Sequence, residues 1–356
     1  MTTINSLLTT GKLGDIEIAN RVVMAPMTRN RADADGTPNN LMRDYYSQRA
    51  SAGLIVAEGT WPVATGQAYN RQPGIETPKQ IQAWREITDA VHEKGGKIVL
   101  QIMHAGRIGS HHIKGNSVPT VAPSAIKARG EVYTDSAGMQ PYDMPTELST
   151  EQVWQVIDEH RQAAANALEA GFDGVELHCT SGYLPMQFLC SDSNQRNDEF
   201  GGSVQARAKF AAECLRAMAS VYGAGCVGLR MNPGNRFNDT NDEFPEQSHV
   251  ALLNAIADLD LAYLHMMQAP IETIDAFKIG RESFKGALII NDGFNPESAA
   301  QAIESGQAEA VSFARHYVAN PDLVKRIVAD LPLTKFDRKT LYTPGAAGYS
   351  DYSKAE

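Results

Sequence analysis

Cysteine is scarce in this chain, and Cys179, Cys190, Cys214 and Cys226 show no close C-x-x-C spacing. That pattern argues against a disulfide framework and against a zinc or iron–sulfur site, so no metal is expected. Free thiols point to a reducing, cytoplasmic compartment. Long hydrophobic runs are missing too: nothing approaches the roughly 20 apolar residues of a membrane span. Met1–Ser6 lacks the basic and apolar segments of a signal peptide. A basic excess is also absent, with Lys and Arg totalling 32 against 42 Asp and Glu, a formal charge of −10. Nucleic acid and anionic membranes need a basic face and are not expected partners. Finally, no G-x-G-x-x-G follows the first apolar run, which weighs against an open dinucleotide-binding sheet.

What is present is ample core, with 43% hydrophobic residues over 356 positions, in a regular alternation of short and long patterns. Short β-rich apolar runs occur at Val22–Pro26, Leu54–Ala57, Ile98–Ile102, Gly174–Leu177, Val227–Met231, Ala262–His265, Ala287–Ile290 and Ala310–Phe313. Longer amphipathic runs between them predict helices, among them Pro78–Glu93, Ser149–Ala170, Val204–Tyr222 and Pro296–Gly306. Ser149 with Gln152 three positions later is a capping box, and Gly171 supplies the stop. About eight βα units in a row predict an α/β fold with a closed (β/α)₈ TIM barrel in a single domain spanning 1–356. Lys12–Ile18 reads as a small hairpin turning at Gly14-Asp15, a plug for the barrel bottom. Arg107–Leu148, rich in Pro, Gly and Ser, is too long for a plain loop and is expected to cover the active site after the third strand.

In a parallel barrel, chemistry is done at the C-terminal ends of the strands. Read that way, Gly174–Tyr183 is the most informative stretch. A buried strand ends in His178, a hydroxyl follows at Ser181 and a phenol at Tyr183. Cys179 beside His178 is a poor nucleophile candidate, because neighbours along a strand face opposite ways. Other strand ends offer Pro26-Met27-Thr28, Glu58-Gly59, Gln101 with His104, Arg230 and Arg315. A lone Gln or Arg inside a barrel is as often a packing residue, but so many polar groups at one face fit packing poorly. The polar loop Asn194–Ser203 looks built to hold a fixed shape. Asn291-Asp-Gly293 after the seventh strand and Ala314-Arg315 after the eighth, ahead of a helix near Pro321, match the place where barrels bind phosphate. Arg315 would add a charge-assisted clamp.

With these residues in place, the chain resembles the old yellow enzyme family of FMN-dependent ene-reductases over essentially its whole length. The resemblance rests on Asn20–Arg29, Tyr69 to Pro73-Gly74-Ile75, Gln101–Arg107, Val175–His178, Asn194–Ser203, Phe313–Asp322, and the tail Tyr342 with Gly348–Tyr352. It implies FMN bound non-covalently across the barrel mouth. Pro26, Met27 and Thr28 would lie along the flavin, Gly59 and Gln101 at its pyrimidine edge, and His178 beside it. Arg230 would sit near the N1/O2 side, with Asn291, Gly293, Ala314 and Arg315 toward the phosphate. It further implies ping-pong turnover. NADPH or NADH reduces FMN, and flavin N5 then delivers hydride to the β-carbon of an α,β-unsaturated carbonyl or nitro compound. His178 and Ser181 would hold the substrate oxygen, and Tyr183 would protonate the α-carbon. Tyr69, Met103 and Tyr342 would complete the substrate pocket. The partners implied are small molecules only, for a monomer or small homo-oligomer.

Three positions depart from the family pattern. Ser181 stands where Asn or His is usual and is a shorter donor, which implies a longer or water-mediated contact and weaker binding of phenols and cyclic enones. Met103 replaces a common aromatic, and Ala314 the usual glycine. Two alternatives stand beside this reading: an enoyl-CoA-type reductase, which would need cysteine clusters and a second domain, and a flavin-binding ligand sensor with little catalysis.

Overall fold

Alternate residues of every central strand face opposite sides, and that two-residue period builds the molecule. The computed structural model describes residues 4–355, so Met1–Thr3 of the segment read for a signal sequence lie outside it. A hairpin, β1 (Gly11–Leu13) and β2 (Ile16–Ile18), comes first. Then come β3 (Val22–Met24), β4 (Leu54–Val56) and β5 (Ile98–Ile102). The excursion carries β6 (Val121–Ala122), β7 (Glu131–Thr134), β8 (Gly138–Pro141) and β9 (Thr146–Glu147). The chain continues through β10 (Gly174–Cys179), β11 (Val227–Met231), β12 (Tyr263–Met267), β13 (Ala287–Asn291) and β14 (Ala310–Phe313). β3–β5 and β10–β14 pair in parallel and close on themselves, β14 against β3 and β5 against β10. The eight-stranded barrel expected from the alternation is therefore present.

Helices α1 (Asn40–Gln48), α2 (Pro78–His92), α3 (His111–Lys114), α4 (Thr150–Glu169), α5 (Leu184–Leu189) and α6 (Val204–Tyr222) follow in order. After them come α7 (Pro245–Ala255), α8 (Ala276–Ser283), α9 (Pro296–Glu304), α10 (Arg315–Ala319) and α11 (Leu323–Val328). The Ser149–Gln152 capping box forms as read, and Thr77–Gln80 makes another. Each satisfies N–H groups that the first helical turn leaves without partners. On the outward side, Val175, Leu177 and Cys179 of β10 and Val227, Leu229 and Met231 of β11 pack against helices in the main core. On the inward side, Val23, Leu54, Val56, Val99, Tyr263, Ile289 and Ala310 form a separate apolar cluster. Leu13, Ile16 and Ile18 of the hairpin close that cluster from below, so the plug is real.

The excursion between Arg107 and Leu148 is not loose. β7 and β8 form an antiparallel hairpin and β6 pairs with β9. Val132 and Tyr142 pack on Met103 and Tyr183, which lays the excursion over one side of the mouth. The Asn194–Ser203 loop is its brace. Arg196 donates to Pro123 O at 2.9 Å and Leu148 O at 2.5 Å, and Asn194 Nδ2 donates to Phe188 O and Phe200 O. The fixed shape read from the sequence thus serves the excursion rather than the site.

Candidate active site at the barrel mouth

One step up the strands from the apolar cluster, the inward positions become polar. Gln101, Glu176, Arg230, His265, Asn291 and Ser312 occupy successive strands and are nearly or fully buried. They form a connected network. Gln101 Nε2 donates to Glu176 Oε1 at 2.7 Å, and Glu176 Oε2 meets His265 Nδ1 at 2.8 Å. His265 Nε2 meets Ser312 Oγ at 2.7 Å, Arg230 Nη2 donates to Asn291 Oδ1 at 2.8 Å, and Asn291 Nδ2 to Ser312 O at 2.9 Å. Buried charge is tolerated only when it is paired and hydrogen-bonded in this way.

Burial and the Arg230 cation push His265 down to about 4, so it is neutral near pH 7. Burial by itself would raise the Glu176 carboxyl, but His265, Arg230 and the Gln101 amide outweigh it and hold Glu176 below its ordinary value. Burial lowers Arg230 as well, opposed by Glu176. Arginine starts so high that the cation persists. Above this layer, His178 is driven down to about 3 by burial and by Arg230. It is a neutral imidazole with one N–H to donate, and its buried Nδ1 has no hydrogen-bond partner.

The loop after β10 turns sharply. Ser181 has φ +58, in the left-handed region, and its carbonyl accepts from Asn238 Nδ2 at 2.8 Å. The turn brings Tyr183 back over His178, with ring centroids 5.2 Å apart. Tyr183 Oη lies 2.8 Å from Tyr69 Oη. Burial, then the neighbouring Tyr69, raises the Tyr183 phenol well above its ordinary value, so it is protonated at neutral pH.

Two adjoining cavities open here. The inner one, about 580 Å³, is lined by Pro26, Thr28, Gln101, Met103, His178, Ser181, Tyr183, Arg230, Asn291, Gly293, Ala314 and Arg315 among others. The outer one, about 690 Å³, shares Thr28, Tyr183, Phe237, Ala314 and Arg315 with it. Twelve expected site residues are therefore gathered at one cavity. Met27, Tyr69 and Tyr342 line the outer cavity instead. Gly59 lines neither; a Cβ there would stand 2.6 Å from Met103 Sδ, so the glycine makes room for that side chain.

Two other groups read from strand ends do not reach either cavity. Glu58 is buried against Tyr46 Oη and Arg29 N, and His104 is buried beside His160 and Thr65. Cys179 packs outward in the helix-facing core, where burial raises its thiol, and all four cysteines are free. Among the described residues no cluster of His, Cys, Asp and Glu could hold a metal, and no helix is long and apolar enough to cross a membrane.

Residues 7–334 match the NADH:flavin oxidoreductase / NADH oxidase family. A probable flavin mononucleotide-dependent alkene reductase of Leishmania infantum is 41% identical over 348 residues, covering 96% of this chain and 95% of that protein. The old yellow enzyme of Trypanosoma cruzi superposes with a TM-score of 0.95 at 35% identity, covering 99% and 100% of the two chains. Morphinone reductase in complex with tetrahydroNAD superposes with a TM-score of 0.94 at 37% identity, covering 99% and 98%. The chain belongs to the old yellow enzyme family. As an old yellow enzyme it is an FMN-dependent oxidoreductase that reduces an activated carbon–carbon double bond at the expense of a reduced nicotinamide.

The residues at the inner cavity fit FMN. Gln101 spends its Nε2 on Glu176, which leaves Oε1 as an acceptor for an imide N–H. Thr28 adds a hydroxyl, and two cations serve the same cavity, Arg230 buried and Arg315 at the exposed rim beside Asp292. Gly293 has φ +81, a left-handed conformation that favours glycine and leaves the backbone bare where a phosphate would approach. Ala314 has φ −92, a conformation any residue adopts, which explains why the usual glycine is dispensable. The helix expected near Pro321 is α11, and a further short helix, α10, begins at Arg315 itself.

This old yellow enzyme also uses residues that sequence reasoning missed. Glu176, His265 and Ser312 orient Gln101, Arg230 and Asn291. The strand alternation could have found them, since each lies two residues from, or in register with, a residue that was identified. Phe237 and Asn238, on the loop after β11, carry no such periodic signal.

Proposed function

We propose that this chain reduces small-molecule α,β-unsaturated carbonyl or nitro compounds with His178, Ser181 and Tyr183 as the groups that act on substrate. FMN, when bound, carries two electrons from NADPH or NADH to the alkene. Neutral His178 donates one hydrogen bond to the substrate oxygen and so favours the charge that develops there. Ser181 lies at the same cavity and offers a second, shorter donor. Tyr183, protonated at neutral pH, supplies a proton to the α-carbon. Arg230 would supply a fixed cation that favours a negatively charged FMN, and the Glu176–His265 pair holds that cation in place. Met103, Tyr69 and Tyr342 line the space for the rest of the substrate. The whole of 1–356 acts as one functional unit, as a monomer or small homo-oligomer in the cytoplasm. The free cysteines support that compartment.

The observation that carries this reading is the placement of a neutral imidazole and a buried phenol, 5.2 Å apart, at one cavity above a paired cation. Anaerobic NADPH oxidation in the presence of 2-cyclohexenone tests it. Tyr183→Phe should lower enone-dependent turnover by about 10²-fold, as loss of a general acid does, while flavin reduction by NADPH changes little. Equal loss in both half-reactions would refute the assigned role.

A further inference from the structure

Tyr183 must recover the proton it gives away before the next turnover. It is buried, and a phenolate left there would be costly, which is why burial raises its phenol so far. His178, the nearest ring, is neutral with its conjugate acid near pH 3, so its remaining N–H is no acid at working pH. Tyr142 is pushed up to about 12 by burial and makes no hydrogen bond to Tyr183. Among the described residues one acid does touch the phenol: Tyr69, oxygen to oxygen at 2.8 Å. Tyr183 faces both cavities, whereas Tyr69 faces only the outer one, whose rim includes the exposed Tyr133, Phe237 and Tyr342. Asn238 organises the pair. Its Nδ2 is anchored on Ser181 O, Tyr142 Oη donates to its Oδ1 at 3.4 Å, and its amide favours ionisation of both phenols.

We propose that Tyr69 is the proton source behind Tyr183, returning a proton to it from water in the outer cavity after each turnover. The proposal rests on Tyr183 being the substrate's proton donor. The Tyr183 O–H bond breaks as a C–H bond forms at the substrate α-carbon. The Tyr69 O–H then breaks as the Tyr183 O–H re-forms, and water restores Tyr69, so one solvent proton enters and no electrons move. Tyr69 acts through Tyr183 and is in that sense a positioning residue, which its test must separate from a wall of the cavity.

The test is Tyr69→Phe, which removes a single oxygen, compared with wild type in flavin reduction by NADPH and in steady-state turnover of 2-cyclohexenone. Each is measured in H₂O and D₂O with rising imidazole at constant pH and ionic strength. The expected result is enone turnover about 10-fold lower, with the enone half-reaction slowed more than flavin reduction by NADPH. The variant should show a larger solvent isotope effect, and its turnover should rise with imidazolium while that of wild type does not. Unchanged turnover, a loss that imidazolium does not restore, or a parallel loss of flavin reduction would each overturn the relay. Wild-type turnover in Tyr183→Phe would overturn both the relay and the role of Tyr183 on which it rests.

Discussion

The lower and upper halves of the barrel interior share one backbone and one period but not one chemistry. Below, Val23, Leu54, Val56, Val99 and Ile289 pack against the hairpin through carbon alone, and Tyr263 brings the cluster's one side-chain polar atom, a buried hydroxyl. Above, two residues further along the same strands, Gln101, Glu176, Arg230, His265, Asn291 and Ser312 are joined by hydrogen bonds and charge. The lower half is held by area removed from water, which tolerates small changes of shape. The upper half is held by a closed set of partners, in which losing one leaves others unpaired in low dielectric.

The largest test of that contrast is Arg230→Leu, which leaves the Glu176 carboxylate buried without its cation. Thermal unfolding should register a loss of about 3–5 kcal/mol, and the purified protein should retain little flavin by its visible spectrum. A stable, flavin-replete variant would end the claim that the upper layer is a linked network.

Next comes acid. His265 and His178 are held down at about 4 and about 3, against an ordinary 6.5. A depressed group contributes stability that is fully present above its unfolded value and lost as pH falls toward the folded one. Glu176, also depressed, has the same sign. Glu58 and Glu159, raised by burial to about 7 from 4.5, oppose them: their contribution is present below 4.5 and lost as pH rises through about 7. Between 4.5 and 6.5 the two glutamates offset only part of the loss, because His104 and His160 are depressed as well, and below 4.5 only the depressed groups still titrate. The midpoint of thermal unfolding should therefore fall most steeply between pH 4.5 and 3. A flat profile there would contradict the assignment.

The lower half should answer more quietly. Ile289→Val removes one methylene from the apolar cluster and should cost about 0.5–1.5 kcal/mol, with no change in the flavin spectrum. A spectral change would mean that the halves are less separate than described.

Ser181→Asn should have the smallest effect on stability and a visible one on binding. Position 181 sits at φ +58, a region that asparagine tolerates better than serine, so the variant should gain up to about 1 kcal/mol. Its longer amide should tighten phenol binding in a flavin-perturbation titration, and equal affinity would remove Ser181 as a specificity determinant. The conformation gives a physical reason for the Asn or His that the resemblance leads one to expect there: the turn favours residues that accept a positive φ.

Much of the fold was legible because a two-residue and a 3.6-residue period are written locally. Val227–Met231 and Val204–Tyr222 run as read, and the Ser149 cap sits where its chemistry requires. Boundaries slipped where a polar residue continues a strand: β10 runs through His178 to Cys179, and β13 through Asn291, because ladder pairing with β11 and β14 carries them on. Most of the site was legible for the same reason, since strand ends in a barrel converge. Glu58 and His104 were misread because a strand end also has an outward side, and only packing against Tyr46 and His160 shows which way a side chain turned.

By itself, the sequence determined the barrel, its plug, the covering excursion, and the identity of the imidazole, phenol and guanidinium at the mouth. All of these follow from short-range pattern and residue type. Tertiary structure alone decided that Glu176 and His265 hold Arg230, that Gly59 yields to Met103, that the Asn194–Ser203 loop braces the excursion, and that Tyr69 meets Tyr183 across 114 residues of chain. Those are contacts between residues far apart in sequence, fixed only when strand register and barrel closure set which side chains share a space. No local pattern carries that information.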